Sequence, residues 1–287
     1  KFKLSSRTKW DININNQRLH KCEYSHSTFK PGAGVDRNCL INNSFENIFI
    51  INGDSHATHY YPMIESLNLK KSMYLKTYEG CMFVPDIYVI GKELYKNRTF
   101  KDFDNCQTYI SDQIKNIQSL DNDFTNTYLI LSSRYTAYIE YSYLTNEDKE
   151  IFDLKKIYKL IFESLDSLAS ELREINIILI SPLPEFKYFP FSCFLNNELC
   201  KINIAKDLNR IKNIDTILNK LADKHKNILI FNPHNKICEI ENNTCSMYNT
   251  KSDILYFKDR DHLTIEGSEY LGMHFEQFIN ENIRTFN

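Results

Sequence analysis

Five short apolar runs punctuate the chain, Ile48–Asn52, Ser72–Thr77, Tyr128–Leu131, Ile175–Ser181 and Ile228–Phe231, each bounded by turn residues or by a helical pattern. Between the third and fourth runs, segment 151–172 sets Leu154, Ile157, Tyr158, Ile161, Leu165, Leu168 and Leu172 on one face of a helix. Segment 205–224 repeats the pattern through Leu208, Ile211, Ile214, Leu218 and Leu221. Strands alternating with helices predict a parallel sheet. The fold class expected is α/β, a three-layer α/β/α sandwich with a parallel, flavodoxin-like sheet whose site lies at the carboxyl ends of the strands. Residues 1–47 show no sustained period and are rich in Asn, Ser, Lys and His around the turn Pro31–Gly34. They are expected to form an irregular lead-in packed on a single domain spanning 48–287.

The first run ends in Gly53-Asp54-Ser55-His56 and an amphipathic helix follows. A serine on a strand-to-helix turn exposes its hydroxyl, and its backbone N–H stands beside a helix N-terminus that favours negative charge. Far downstream, Asp259-Arg260-Asp261-His262 precedes another amphipathic helix. Ser55 is the candidate nucleophile, His262 the base that takes its proton, and Asp259 the acid that fixes the tautomer of His262. Asp261, adjacent in sequence to His262, is expected to be solvated. Each block alone is compatible with a helix-capping serine or a loop histidine; their occurrence in this order argues for one site.

Gly53-Asp54-Ser55 and Asp259-x-x-His262 resemble the first and last signature blocks of the SGNH, or GDSL-type, hydrolases. Asp54-Ser55-His56-Ala57 and His262-Leu-Thr-x-x-Gly267 are similar to one branch in particular, the periplasmic SGNH domains fused to membrane-bound acyltransferases that O-acetylate bacterial surface polysaccharides. The resemblance runs from about residue 45 to the end of the chain. It implies an oxyanion hole built from the backbone N–H groups of Ser55 and Gly80. The family's third block usually supplies an asparagine as well, whereas the third run here is followed by Ser132-Ser133-Arg134-Tyr135. Arg134 is the candidate replacement, either at the oxyanion or on substrate, with a surface ion pair as the alternative. A lost oxyanion donor costs about a hundredfold in turnover. Without compensation by Arg134 the domain would be a slow hydrolase, which suits a transferase.

Neighbouring residues widen the picture little. Asp54-x-His56 also resembles the opening of metallophosphoesterases, but the further carboxylates and histidines of a two-metal site are missing, so no metal is expected. Asp54 and His56 are expected to brace the turn. Tyr60, Tyr61 and Tyr135 flank the motif residues, where they would either stack on sugar rings or pack in the core. His234, after the fifth run, is expected to be a loop histidine.

The 287 residues carry a formal net charge of -2 with both signs interspersed, which argues against a nucleic-acid partner. No apolar run is long enough to span a membrane, and the chain begins at Lys1 without an initiator methionine. It is expected to be part of a longer protein whose remainder holds an export signal or a membrane domain. The eight cysteines fall as four local pairs, and sequential bridges Cys22–Cys39, Cys81–Cys106, Cys193–Cys200 and Cys238–Cys245 close short loops without crossing. Disulfides imply an oxidising compartment, a periplasm or the cell exterior; reduced core cysteines in a cytosolic enzyme are the alternative.

Taken with the resemblance, these features point to O-acyl transfer, acetyl above all, to hydroxyls of a surface polysaccharide through acyl-Ser55. No cofactor is implied. The acyl group, ultimately from acetyl-CoA, would be delivered by a partner membrane acyltransferase domain tethering this one to the inner membrane. A carbohydrate acetylesterase and a noncatalytic glycan-binding module are the rival readings.

Overall fold

Why five consecutive apolar runs should be strands is answered by what covers them: both faces of the sheet are buried. A computed structural model describes residues 36–41, 46–78, 80–87, 100–120, 126–140, 153–190 and 200–283. The five parallel strands are β2 (Asn47–Gly53), β3 (Ser72–Tyr78), β4 (Asn126–Ser132), β5 (Asn176–Ile180) and β7 (Ile228–Phe231), while β6 (Lys201–Asn203) belongs to a separate small sheet. Strand β1 (Asp36–Ile41) pairs antiparallel with β3 at one edge, so the order is β1-β3-β2-β4-β5-β7. Residues 36–41 therefore join the sheet where irregular chain was expected. The parallel part has the flavodoxin-like order, which reverses direction at β2 and opens a crevice at its carboxyl end.

Side chains alternate across the sheet. Phe49 and Ile51 of β2 face one core, with Tyr128 and Ile130 of β4 and Ile178 and Ile180 of β5. Ile48, Ile50, Leu129, Leu131, Ile177 and Leu179 face the other. The first core is covered by α2 (Tyr61–Glu65) and α8 (Ile265–Ile283), the second by α3 (Phe100–Leu120), α4 (Tyr135–Glu140), α5 (Leu154–Glu171) and α6 (Ala205–Lys224). Helix α5 buries Ile157, Ile161, Leu165 and Leu168 as its period predicts, and Asp153 caps its N-terminus by accepting from Lys155 N–H. Leu154 departs from the pattern: it is exposed, because it precedes the stretch that lies on the sheet.

Among the described residues, two of the four expected disulfides are seen complete. Cys81–Cys106 joins the loop after β3 to α3, and Cys238–Cys245 joins β8 (Cys238–Glu239) to β9 (Thr244–Ser246), where the two cysteines are register partners. Cys200 is also disulfide-bonded. Its expected partner Cys193 lies outside the described residues, as do Cys22 and the side chain of Cys39. No described helix is long and apolar enough to cross a membrane.

Candidate active site

The turn that carries Ser55 is possible only because residue 53 is glycine. Gly53 ends β2 paired to Thr77 and Ser132, at φ +139°, and a Cβ there would lie 1.9 Å from the Ser132 carbonyl oxygen. The chain can then turn directly into α1 (Ser55–Thr58). Asp54 is the N-cap, fully buried, and its carboxylate accepts three hydrogen bonds. The donors are His56 N–H at 2.8 Å, Arg134 N–H at 3.0 Å and the Tyr138 hydroxyl at 2.7 Å. The residue expected to brace the turn thus also binds it to the end of β4.

The distal loop is curled by its own acid. Asp259 Oδ1 accepts from the N–H groups of Asp261 (3.0 Å) and His262 (2.7 Å), and Lys258 N–H donates to the His262 carbonyl at 2.9 Å. Thr264 then starts α8, with its hydroxyl oxygen accepting from Gly267 N–H at 2.8 Å. Gly267 is required here because a Cβ would meet the Tyr256 carbonyl oxygen at 2.3 Å. Helix α8 can therefore press onto the strand-like segment that leads into the loop.

The two halves meet. Ser55 Oγ lies 2.8 Å from His262 Nε2, and His262 Nδ1 lies 3.1 and 3.0 Å from the two oxygens of Asp259. An N–H on Nδ1 donates to carboxylate and leaves Nε2 to accept the serine proton, the tautomer a general base requires.

Asp261 is not solvated. The curl of the loop turns its carboxylate back, so that Oδ1 stands 3.1 Å from the same Nδ1 and the residue is 7% exposed. Its other oxygen lies 2.9 Å from Arg134 Nε and 3.5 Å from His56 Nε2. A residue adjacent in sequence seldom turns its side chain back onto its neighbour's ring, and here the loop's curl makes it do so. Burial works against a charge on His262, but hydrogen bonds and charge from both carboxylates outweigh it and raise its pKa from 6.5 to about 9. Burial likewise opposes ionisation of Asp259 and Asp261, and the bond to His262 overrides it, holding both below the ordinary carboxylate value.

Arg134 reaches this edge in an ion-pair network, the alternative expected for it, half-buried rather than on the surface. Its guanidinium is gripped by Glu185, which accepts from Nε at 3.0 Å and also from Nη2, while Asp261 Oδ2 stands 2.9 Å from the same Nε. It balances one buried acid, Asp261, and one half-buried acid, Glu185. Gly80 sits at φ +69° in the turn after β3, next to the bridged Cys81, and Phe83 N–H donates to Ser133 Oγ at 3.4 Å across to the end of β4. Gly80 and Ser55 thus both follow the carboxyl ends of adjacent strands.

Histidines pack around His262. His59 is buried and accepts from Leu263 N–H at Nδ1 (3.4 Å), with its ring 5.9 Å from that of His262. Burial first, then the charges of His56 and His262, keep His59 far below 6.5 and hence neutral. Among the described residues, His56, Asp261 and His262 offer donor atoms within 4.8 Å of one another, the spacing of a metal group. A cation there would face the guanidinium of Arg134, and the donor set fits a metal poorly. Tyr60, Tyr61 and Tyr135 are each 1% exposed and pack in the core, so none offers a face to a sugar. His234 is buried at the start of α7 (His234–Ile237), 3.4 Å from Ser181 Oγ and 3.8 Å from an oxygen of Asp215.

Comparisons agree with this architecture. A family model described as the SGNH domain fused to AT3 domains matches residues 21–277. Among solved structures, the periplasmic domain of a lipopolysaccharide acetyltransferase from Salmonella ser. Paratyphi A is similar, with TM-score 0.59 and 17% identity over 98% of this chain and 100% of that one. A carbohydrate acetylesterase from Sinorhizobium meliloti has TM-score 0.43 and 11% identity over 82% and 99% of the two chains. The catalytic domain of a peptidoglycan O-acetyltransferase from Streptococcus pneumoniae has 0.40 and 12% over 85% and 97%. No curated protein matches. With the family model spanning both motif halves and the sheet between them, the chain belongs to the SGNH domains fused to AT3 domains.

Proposed function

We propose that this domain transfers an O-acyl group, acetyl above all, to a hydroxyl of a bacterial surface polysaccharide through an acyl-Ser55 intermediate. The observation that carries the reading is the 2.8 Å contact between Ser55 Oγ and His262 Nε2, backed by two carboxylates on Nδ1. Ser55 Oγ attacks the acyl carbonyl carbon while its proton passes to His262 Nε2. The tetrahedral oxygen takes up negative charge beside the N–H groups of Ser55 and Gly80. His262 returns the proton to the departing oxygen and the acyl-serine remains. A sugar hydroxyl then attacks the ester carbonyl, gives its proton to His262, and leaves as the O-acyl sugar when the Ser55 oxygen recovers that proton.

Fusion of the family to AT3 domains supports transfer over hydrolysis, since a membrane partner would supply the acyl group. The disulfides Cys81–Cys106 and Cys238–Cys245 support an extracytoplasmic setting. The lipopolysaccharide acetyltransferase domain, similar over 98% of this chain, supports a surface glycan as acceptor. The test is to supply an aryl acetate together with a pyranoside acceptor and to follow acetate and O-acetyl sugar separately. Ser55-dependent O-acetyl sugar supports transfer. Ser55-dependent acetate without any sugar ester assigns the domain to esterases instead.

A further inference from the structure

We infer that Tyr188 and Phe189 form a stacking platform for a pyranose ring of the acceptor glycan, placed at the catalytic edge by the loop that bears them. The inference rests on the acyl-transfer reading and supplies what Tyr60, Tyr61 and Tyr135, buried in the core, do not. The loop 181–190 is anchored from both sides to the segment that carries His262. Glu185 holds Arg134, which pairs with Asp261; Thr136 adds a hydroxyl to Glu185 Oε1 at 3.0 Å. Phe186 is buried with its ring centroid 4.7 Å from that of Phe257, and its N–H donates to the Arg260 carbonyl at 2.7 Å. Pro184 and Pro190 are buried on either side of the tip.

What this frame presents to solvent is Lys187, Tyr188 and Phe189. Phe189 is 59% exposed and Tyr188 38%. The Arg260 guanidinium, two residues before the catalytic base, lies over the Phe189 ring at 5.8 Å, and Lys187 lies over Tyr188 at 5.2 Å. One exposed phenylalanine would need no partner, but two adjacent exposed rings on an anchored loop form an apolar surface that another molecule can cover. The cover must suit two aromatic rings that each carry a cation over one face and must bring a hydroxyl toward Ser55. A pyranose with one continuous C–H face meets both needs, the C–H groups against the rings and the hydroxyls outward to the cations.

The test uses methyl β-D-galactopyranoside, whose axial 4-hydroxyl leaves such a face, with the methyl glycosides of glucose and N-acetylglucosamine beside it. Saturation-transfer NMR reads binding without catalysis. Enhancement of the ring protons H3, H4 and H5 is expected for at least one glycoside. It should be lost in the double variant Phe189→Ala/Tyr188→Ala and kept in Phe189→Trp. In the transfer assay the double variant should raise the acceptor KM at least about tenfold. Aryl acetate hydrolysis and acetylation of Ser55 should stay within about twofold of the unsubstituted domain. Enhancement that survives the double substitution, or that appears for none of the three sugars, overturns the platform. So does self-association of the domain that the double variant abolishes, which would assign the rings to a second copy of the chain. Loss of sugar binding in the variant of a domain that never acetylates Ser55 would keep the platform while refuting the acyl-transfer reading.

Discussion

His262 takes charge from two acids on one ring nitrogen, and that arrangement sets its pH behaviour. With a pKa of about 9 the ring is largely protonated at neutral pH, and only the neutral form accepts the Ser55 proton. The kcat/KM for an aryl acetate should therefore climb about tenfold per pH unit below pH 8 and level off near 9. Asp261→Asn removes one of the two carboxylates, so its profile should level off at a lower pH, with a plateau reduced about tenfold. An unchanged profile would show that Asp261 does not act on the base. The same shift has a sign in stability. The folded pKa exceeds the ordinary 6.5, so the stabilisation is fully present below about pH 6.5 and is lost as pH rises through 9. Calorimetry between pH 6.5 and 9 should show a falling Tm that is flatter in His262→Gln.

Elements deliver these residues through a few backbone conditions. Gly53→Ala places a Cβ where the Ser132 carbonyl oxygen sits, at a φ that side-chain-bearing residues rarely adopt, and should cost ~3 kcal/mol or more. Asp54→Ala strips three donors of their acceptor and should cost ~3 kcal/mol, read from urea midpoints. The five parallel strands were legible because a strand buried on both faces is a plain apolar run, and α5 and α6 because their buried stripes keep the helical period. Helix α3 was not, since its buried Tyr109, Ile110, Ile114 and Ile117 are spread among exposed polar residues. Strand β1 escaped because an edge strand in a polar stretch carries no apolar run. At the site, Ser55, Asp259 and His262 were legible from order along the chain. Asp261, Glu185 and the Tyr188–Phe189 tip were not: each owes its position to loop curvature and to partners distant in sequence.

At the scale of the whole molecule, one sheet edge gathers groups from both ends of the chain, and covalent bridges hold its periphery. Cys81–Cys106 fixes the turn that follows Gly80, so its reduction should weaken both stability and acyl transfer. Cys238–Cys245 braces a small sheet remote from Ser55 in sequence. Reduction of the protein should lower its stability by ~2–4 kcal/mol per bridge, read from urea midpoints with and without reductant. The central claim is that the two distant motifs converge so that Ser55 carries the acyl group. Intact mass during turnover of an aryl acetate, with peptide mapping of the adduct, tests it most directly. The account predicts a transient acetyl adduct on Ser55 in the unsubstituted domain and none in Ser55→Ala or His262→Ala; an adduct on another residue, or turnover that survives Ser55→Ala, would contradict it.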